Sequence, residues 1–370
     1  MTSSPLSNSL KVSPDQIKKL HTTIQTFEKK LLNSVEQGET AGMAVGIMSR
    51  DQVYYSKGIG VKRLGFSDPI TESSLFQLAS VSKPISATVL ALLQKAGLCS
   101  FKDHPGQYEP YLFKREIHKD LTLKNMLNHT SGLSYEGFEE MIESYIPMKD
   151  IREKLAKTLP LRKPGSYAEY NNVVYGFIGD IIRTLSKGSL QYSFENYLFR
   201  PLKMDRACLG FPALLEAADR AYPHMENVMG SLTPADHYSH SYYIFPASAG
   251  VNTSLDDLIR FIQLYLGKYP HLISPDELKP LYTPTIQSQE VFDCHEDPRG
   301  FVNEVWYGLG WLILNIGKER VVFHTGWLNG FRNFIGFLPD HDIGIVILTN
   351  TDKKSVQNLG LEFLYQYLEE

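Results

Sequence analysis

Apolar residues at Ile17, Leu20, Ile24, Phe27, Leu31 and Val35 recur at three- and four-residue steps, which predicts an amphipathic helix from Pro14 to about Gln37 behind a Ser13 cap. Its apolar stripe is suited to covering a sheet. The period then changes: Gly42 to Ser49 and Gln52 to Gly60 read as two strands of a hairpin turning at Arg50-Asp51. From Ser80 to Leu98 the pattern is helical again, with Ile85, Val89, Leu92 and Leu93 apolar and Gly97 placed as a stop. A long middle, about 101 to 289, mixes helical segments with Gly, Pro and Asn loops. Strand patterns resume at Leu309 to Ile316, Arg320 to His324, Asn333 to Leu338 and Ile343 to Leu348, and a helix from Ser355 to Leu368 closes the chain.

Strands at both ends with helices between them predict an α+β fold, an antiparallel β-sheet flanked by helices with an inserted all-helical region. The expected division is 14–79 with 300–370 as the α/β sheet domain, and 80–299 as a mainly helical region forming the active-site wall. The stretch Gln287 to Asn303 is acidic and reads as a surface loop.

At 370 residues and 43% hydrophobic content the chain buries a substantial core. A net charge of −4 with no basic stripe argues against nucleic acid as a partner. Cys99, Cys208 and Cys294 lie far apart and carry no zinc spacing, which fits a reducing compartment and no metal. No run is apolar enough to span a membrane, and Met1 to Ser13 lacks the pattern of a secretory signal. A cytoplasmic location is expected, with a trimmed leader or another export route as alternatives. Oligomeric state is not readable.

Three short segments carry chemistry. In Ser80-Val81-Ser82-Lys83 a serine stands at the positive end of a helix with a lysine on the same face. A serine hydroxyl attacks poorly until a base takes its proton, and a desolvated lysine of lowered pKa can serve. By chance alone about two such spacings are expected in a chain of this composition, and a capping Ser with a solvated Lys explains one equally well. In Tyr170-Asn171-Asn172 a tyrosine can relay a proton and an asparagine amide can hold a carbonyl. The plain alternative is a core aromatic followed by turn and cap residues. In His324-Thr325-Gly326 a donor and a hydroxyl on a strand edge can grip a carboxylate or carbonyl, and the next amide, Trp327, can pair with that of Ser80 as an oxyanion hole. The alternative there is a sheet-edge turn with a surface His.

Together, in this order, the segments resemble the serine β-lactamase-like and penicillin-binding-protein superfamily, including class C β-lactamases, D-alanyl-D-alanine carboxypeptidases and related esterases. Leu127 to Leu133 looks like that family's His-x-Ser-Gly-Leu turn. Pro246 to Asp257 looks like its Gly-rich loop entering a Ser/Asp-capped helix, and Gly330 to Asn350 like its final strand pair. The resemblance implies an acyl-enzyme on Ser80, with general acid and base duty shared by Lys83 and Tyr170. It also implies substrate contacts from Asn172, His324, Thr325 and Gly326.

Such β-lactamases usually carry Lys where this chain has His324, and a neutral imidazole attracts a carboxylate less than an ammonium does. The expected function is therefore a cofactor-free esterase or D-amino-acid peptidase acting on a small-molecule or peptide substrate. A class C-like β-lactamase and a catalytically silent binding or filament-forming module are the alternatives. Trp327, where relatives have a small residue, either stacks on an acyl group and narrows the cleft or turns away onto the helical region, the second being favoured. Asp236, His237 and His240 make a poor metal set, and Asp293 to Asp297 reads as solvated surface. No Gly-x-Ser-x-Gly elbow is present, since Pro246 precedes Ser248 by two.

Overall fold

The computed structural model describes residues 14–114, 116–288, 304–353, 356 and 358–369; the cluster Asp293 to Asp297 and nearly all of the acidic stretch to Asn303 lie outside them. Helix α1 spans Pro14–Glu36. The hairpin follows as β1, Gly42–Met48, and β2, Val53–Gly60. Short strands β3 (Phe76–Gln77), β4 (Cys208–Leu209), β5 (His224–Glu226), β6 (Leu232–Pro234) and β7 (Val251–Thr253) punctuate the middle. The chain ends with β8 (Ile286–Gln287), β9 (Val305–Tyr307), β10 (Leu312–Ile316), β11 (Glu319–Leu328), β12 (Phe331–Leu338), β13 (Ile343–Thr349) and a helix over Leu359–Glu369.

One antiparallel sheet takes the order β2-β1-β13-β12-β11-β10-β9-β8, so the first hairpin joins the last strand, as the arrangement of strand patterns at the two chain ends implied. Both faces of its centre are buried, and alternation decides which residue faces which layer. Met43, Val45, Ile47, Ile345 and Ile347 pack with α1 and the C-terminal helix. Ala44, Met48, Val346 and Leu348 face the other layer. Each such aliphatic side chain taken out of water contributes about 1.5–3 kcal/mol.

That second layer holds α2, Ser82–Lys95, and the helix Leu255–Tyr265. The latter falls inside the span expected to be the helical insertion, yet it lies on β1, β12 and β13. Gly344 explains how closely: a Cβ there would stand 2.4 Å from Ile262 Cγ2, so only glycine lets this helix settle on the sheet. Strand β8 likewise belongs to the sheet although it precedes residue 300. The rest of the middle forms short helices and loops, several of them packed directly on α2, together with the small sheet β3-β7-β4.

Candidate active site

Ser80 stands in the 3-10 turn Ala79–Val81 that leads into α2, just ahead of the helix rather than within it. Pairing of β3 with β7 positions this turn. Leu78 N donates to Val251 O at 3.1 Å, and Val251 N donates to Ser82 Oγ at 3.0 Å, clamping it from both ends. The Asn333 amide holds a third side by donating to Gln77 O at 2.8 Å. Ala79 adopts φ +51°, a left-handed conformation costing about 1–2 kcal/mol for a residue with a Cβ. The surrounding bonds hold that strain in place.

Lys83 is fully buried. Its Nζ lies 2.7 Å from Asn172 Oδ1, 3.2 Å from Ser248 O and 3.1 Å from Ser80 Oγ. It also sits over the Tyr170 ring, 4.5 Å from the centroid. Among the described residues no carboxylate stands within ion-pair range of it. Burial without a counter-ion pushes the Lys83 ammonium well below its ordinary pKa.

The two asparagines of the second segment divide the work. Asn171 is the helix cap: its side chain accepts from Val173 N and Val174 N, and its amide donates to Leu133 O. Asn172 begins the helix Asn172–Gly176 and turns its carbonyl oxygen to Lys83. Behind them lies His129, from the Leu127–Leu133 segment, in a left-handed conformation at φ +58°. Its Nδ1 accepts from Asn171 N at 3.0 Å and its ring lies against that of Tyr170, centroids 4.3 Å apart. Burial, and next the nearby Lys83, keep the His129 imidazole well below its usual pKa, hence neutral. Its place in the Leu127–Leu133 motif alone does not reveal this role.

Strand β11 supplies the opposite wall. Its pairing with β10 runs only from Glu319 to Phe323, so from His324 onward that edge faces the Ser80 turn. The approach is close enough to demand glycine: a Cβ on Gly326 would lie 2.0 Å from Leu78 O. Ser80, His324, Thr325, Gly326 and Trp327 thus border one cleft together with Tyr170 and Asn172. His324 is buried, 2% exposed, with Nδ1 2.7 Å from Thr325 O and Nε2 2.9 Å from the Tyr307 hydroxyl. Trp327 does not pack on the helical region. It is 60% exposed at the rim, where its indole donates to Asp352 at 2.9 Å and the Arg332 guanidinium lies over its ring.

Across the rim, Tyr242 donates to Glu139 and stands 3.4 Å from the Tyr135 hydroxyl. His237 lines the cleft, whereas His240 stacks on Phe211 with centroids 4.7 Å apart, so these two histidines serve different surroundings. The Ser248 carbonyl and Tyr307 were not anticipated from sequence. A backbone oxygen leaves no residue signature, and a tyrosine inside a strand looks like core.

A profile of the beta-lactamase family matches residues 25–364. The chain belongs to this family. Protein flp of Staphylococcus aureus (strain N315) is 24% identical over 340 residues, covering 90% of this chain, which spans 64% of that relative's length. Among solved structures, the octameric penicillin-binding protein homologue from Pyrococcus abyssi matches with a TM-score of 0.80 at 21% identity, covering 94% of this chain and 78% of the other. EstCE1, a hydrolase with promiscuous acyltransferase activity, matches with a TM-score of 0.77 at 16% identity over 96% of this chain and all of its own, 100%. At such identities the structural likenesses establish the shared fold. No helix among the described residues is long and apolar enough to cross a membrane.

Proposed function

We propose that the protein is a serine hydrolase that opens an ester or amide through an acyl-enzyme on Ser80. The observation that carries this reading is the setting of Lys83 Nζ among three oxygens. Asn172 Oδ1 and Ser248 O can only accept, so a neutral amine spends both its N–H bonds on them and directs its lone pair at the Ser80 hydroxyl. Lys83 then takes the serine proton as Oγ attacks the substrate carbonyl. The amides of Ser80 and Trp327 are assigned to the oxyanion. Collapse of the tetrahedral intermediate breaks the bond to the leaving group, which receives a proton through Lys83 and Tyr170. Water then attacks the acyl-Ser80 ester, releases the acid and restores the hydroxyl. Asn172 acts on both sides, fixing Lys83 and bordering the acyl site.

The test is Ser80→Ala. This variant is expected to lose at least about 10³-fold in turnover of an activated ester and all labelling by a serine-directed phosphonate. Intact mass should show one acyl adduct on the native protein and none on the variant. Unchanged labelling of the variant would place the nucleophile elsewhere.

A further inference from the structure

We infer that one face of the helical region docks the protein on an anionic lipid bilayer, through two exposed leucines set among lysines. Leu159 and Leu161 keep 65% and 72% of their surface in solvent, more than any other leucine among the described residues. They flank Pro160 in the loop that leaves the helix Met148–Lys157 and runs on to Tyr170. The loop is anchored by its backbone. His118 Nε2 lies 3.1 Å from Thr158 O, while Leu161 N donates to Gly132 O and Gly165 N to Thr130 O, each at 2.8 Å. Gly132 permits this approach, since a Cβ there would stand 2.1 Å from Arg162 O. Held this way, the loop keeps both leucines in water, a standing cost that a covering partner removes.

The charge around them points to what that partner is. The His118 contact joins the loop to the stretch 111–124, and across 111–124 and 157–167 the side chains of Lys114, Lys119, Lys124, Lys157, Arg162 and Lys163 are all exposed. None of the six forms an ion pair among the described residues. The same two stretches contain only two carboxylates, Glu116 and Asp120, so positive charge is in excess here on a chain whose net charge is −4. Arg162 also lies over the Tyr167 ring, 3.7 Å from its centroid, which places an aromatic of the kind favoured at membrane interfaces beside the leucines. Five of the six cations are lysines, a residue depleted in protein–protein interfaces. At a bilayer a lysine lays its stem along the surface and keeps its ammonium among the phosphates, while neighbouring leucines enter the acyl boundary. Anionic headgroups supply the counter-charge and the hydrocarbon beneath covers Leu159 and Leu161. None of these residues borders the cleft, so the face is separate from the Ser80 site.

Co-sedimentation of the full chain with vesicles tests this, using phosphatidylcholine alone and phosphatidylcholine with about 30% phosphatidylglycerol. The anionic vesicles should bind at least about tenfold better, and raising the salt from about 0.1 M to about 0.5 M should reverse most of that gain. Lys157→Glu with Lys163→Glu is expected to weaken binding about tenfold or more, and Leu159→Ser with Leu161→Ser about fivefold or more. All four side chains are exposed, so both variants should keep the native unfolding midpoint. The measurement needs no turnover and stands apart from the hydrolase reading. Equal binding to neutral vesicles, no binding to anionic ones, or undiminished binding by the leucine variant overturns the inference; the last result would make a soluble polyanion the partner.

Discussion

On the α2 wall of the cleft Lys83 is fully buried and holds three oxygens, while on the β11 wall Trp327 keeps 60% of its surface in solvent, with its indole on Asp352 and the Arg332 guanidinium over its ring. The first wall is over-determined. Moving Lys83 would strand Asn172 Oδ1 and Ser248 O in an interior where unpaired polar groups are costly. The second wall has a rigid base, Gly326 against Leu78 O, and an adjustable rim. Under the proposed hydrolase reading, such a division keeps the proton chemistry constant while rim side chains change without disturbing the buried network.

Four experiments probe the two walls separately. Lys83→Met removes the proposed base at similar length, and kcat should fall by about 10³-fold with KM little changed, measured on an activated ester. An equal fall in binding alone would contradict a role confined to the proton step. Gly326→Ala is next. Its Cβ would overlap Leu78 O, so either β11 or the Ser80 turn must shift. Thermal unfolding should show a loss of about 1–3 kcal/mol, with activity down about 100-fold; retention of both would mean that the two walls are not braced there.

The third experiment concerns pH. Because burial depresses Lys83 from its ordinary 10.5, the amine is charged and inactive below its lowered pKa and neutral above it. The profile of kcat/KM should therefore climb about tenfold per pH unit on the acid side and level off well below the ordinary lysine value of 10.5. A limb still rising at that point would remove Lys83 as the base. The smallest effect is expected from Trp327→Ala, which should alter stability by less than about 0.5 kcal/mol and raise KM about threefold. A large fall in kcat at unchanged KM would instead give the rim a share in the chemistry.

Local patterns in the sequence were enough for many of the elements. The stripe from Leu20 to Leu31, the Arg50-Asp51 hairpin and Gly97, at φ +74°, reappear as expected. Ser254 caps the helix it was expected to cap, accepting from Asp257 N. Boundaries were weaker. Strand β11 continues past His324 to Leu328, because its later residues pair with Phe331 to Phe334 of β12, a partner invisible to any local window. The Leu255–Tyr265 helix went to the sheet layer because Gly344 leaves room for Ile262, a relation between residues far apart in the chain.

At the site, Ser80, Lys83, Tyr170, Asn172 and His324 became candidates through the order of three segments that resemble one family, since each segment by itself reads equally well as cap, core or turn. Which asparagine caps and which meets Lys83, that a carbonyl from Ser248 shares Lys83, and that Tyr307 occupies His324 were decided only by the tertiary structure. The physical reason is common to all three. Hydrogen-bond direction, desolvation and protonation depend on neighbours within a few ångströms, and folding brings those neighbours from segments as far apart in sequence as β3, the Pro246–Ala249 turn and β9.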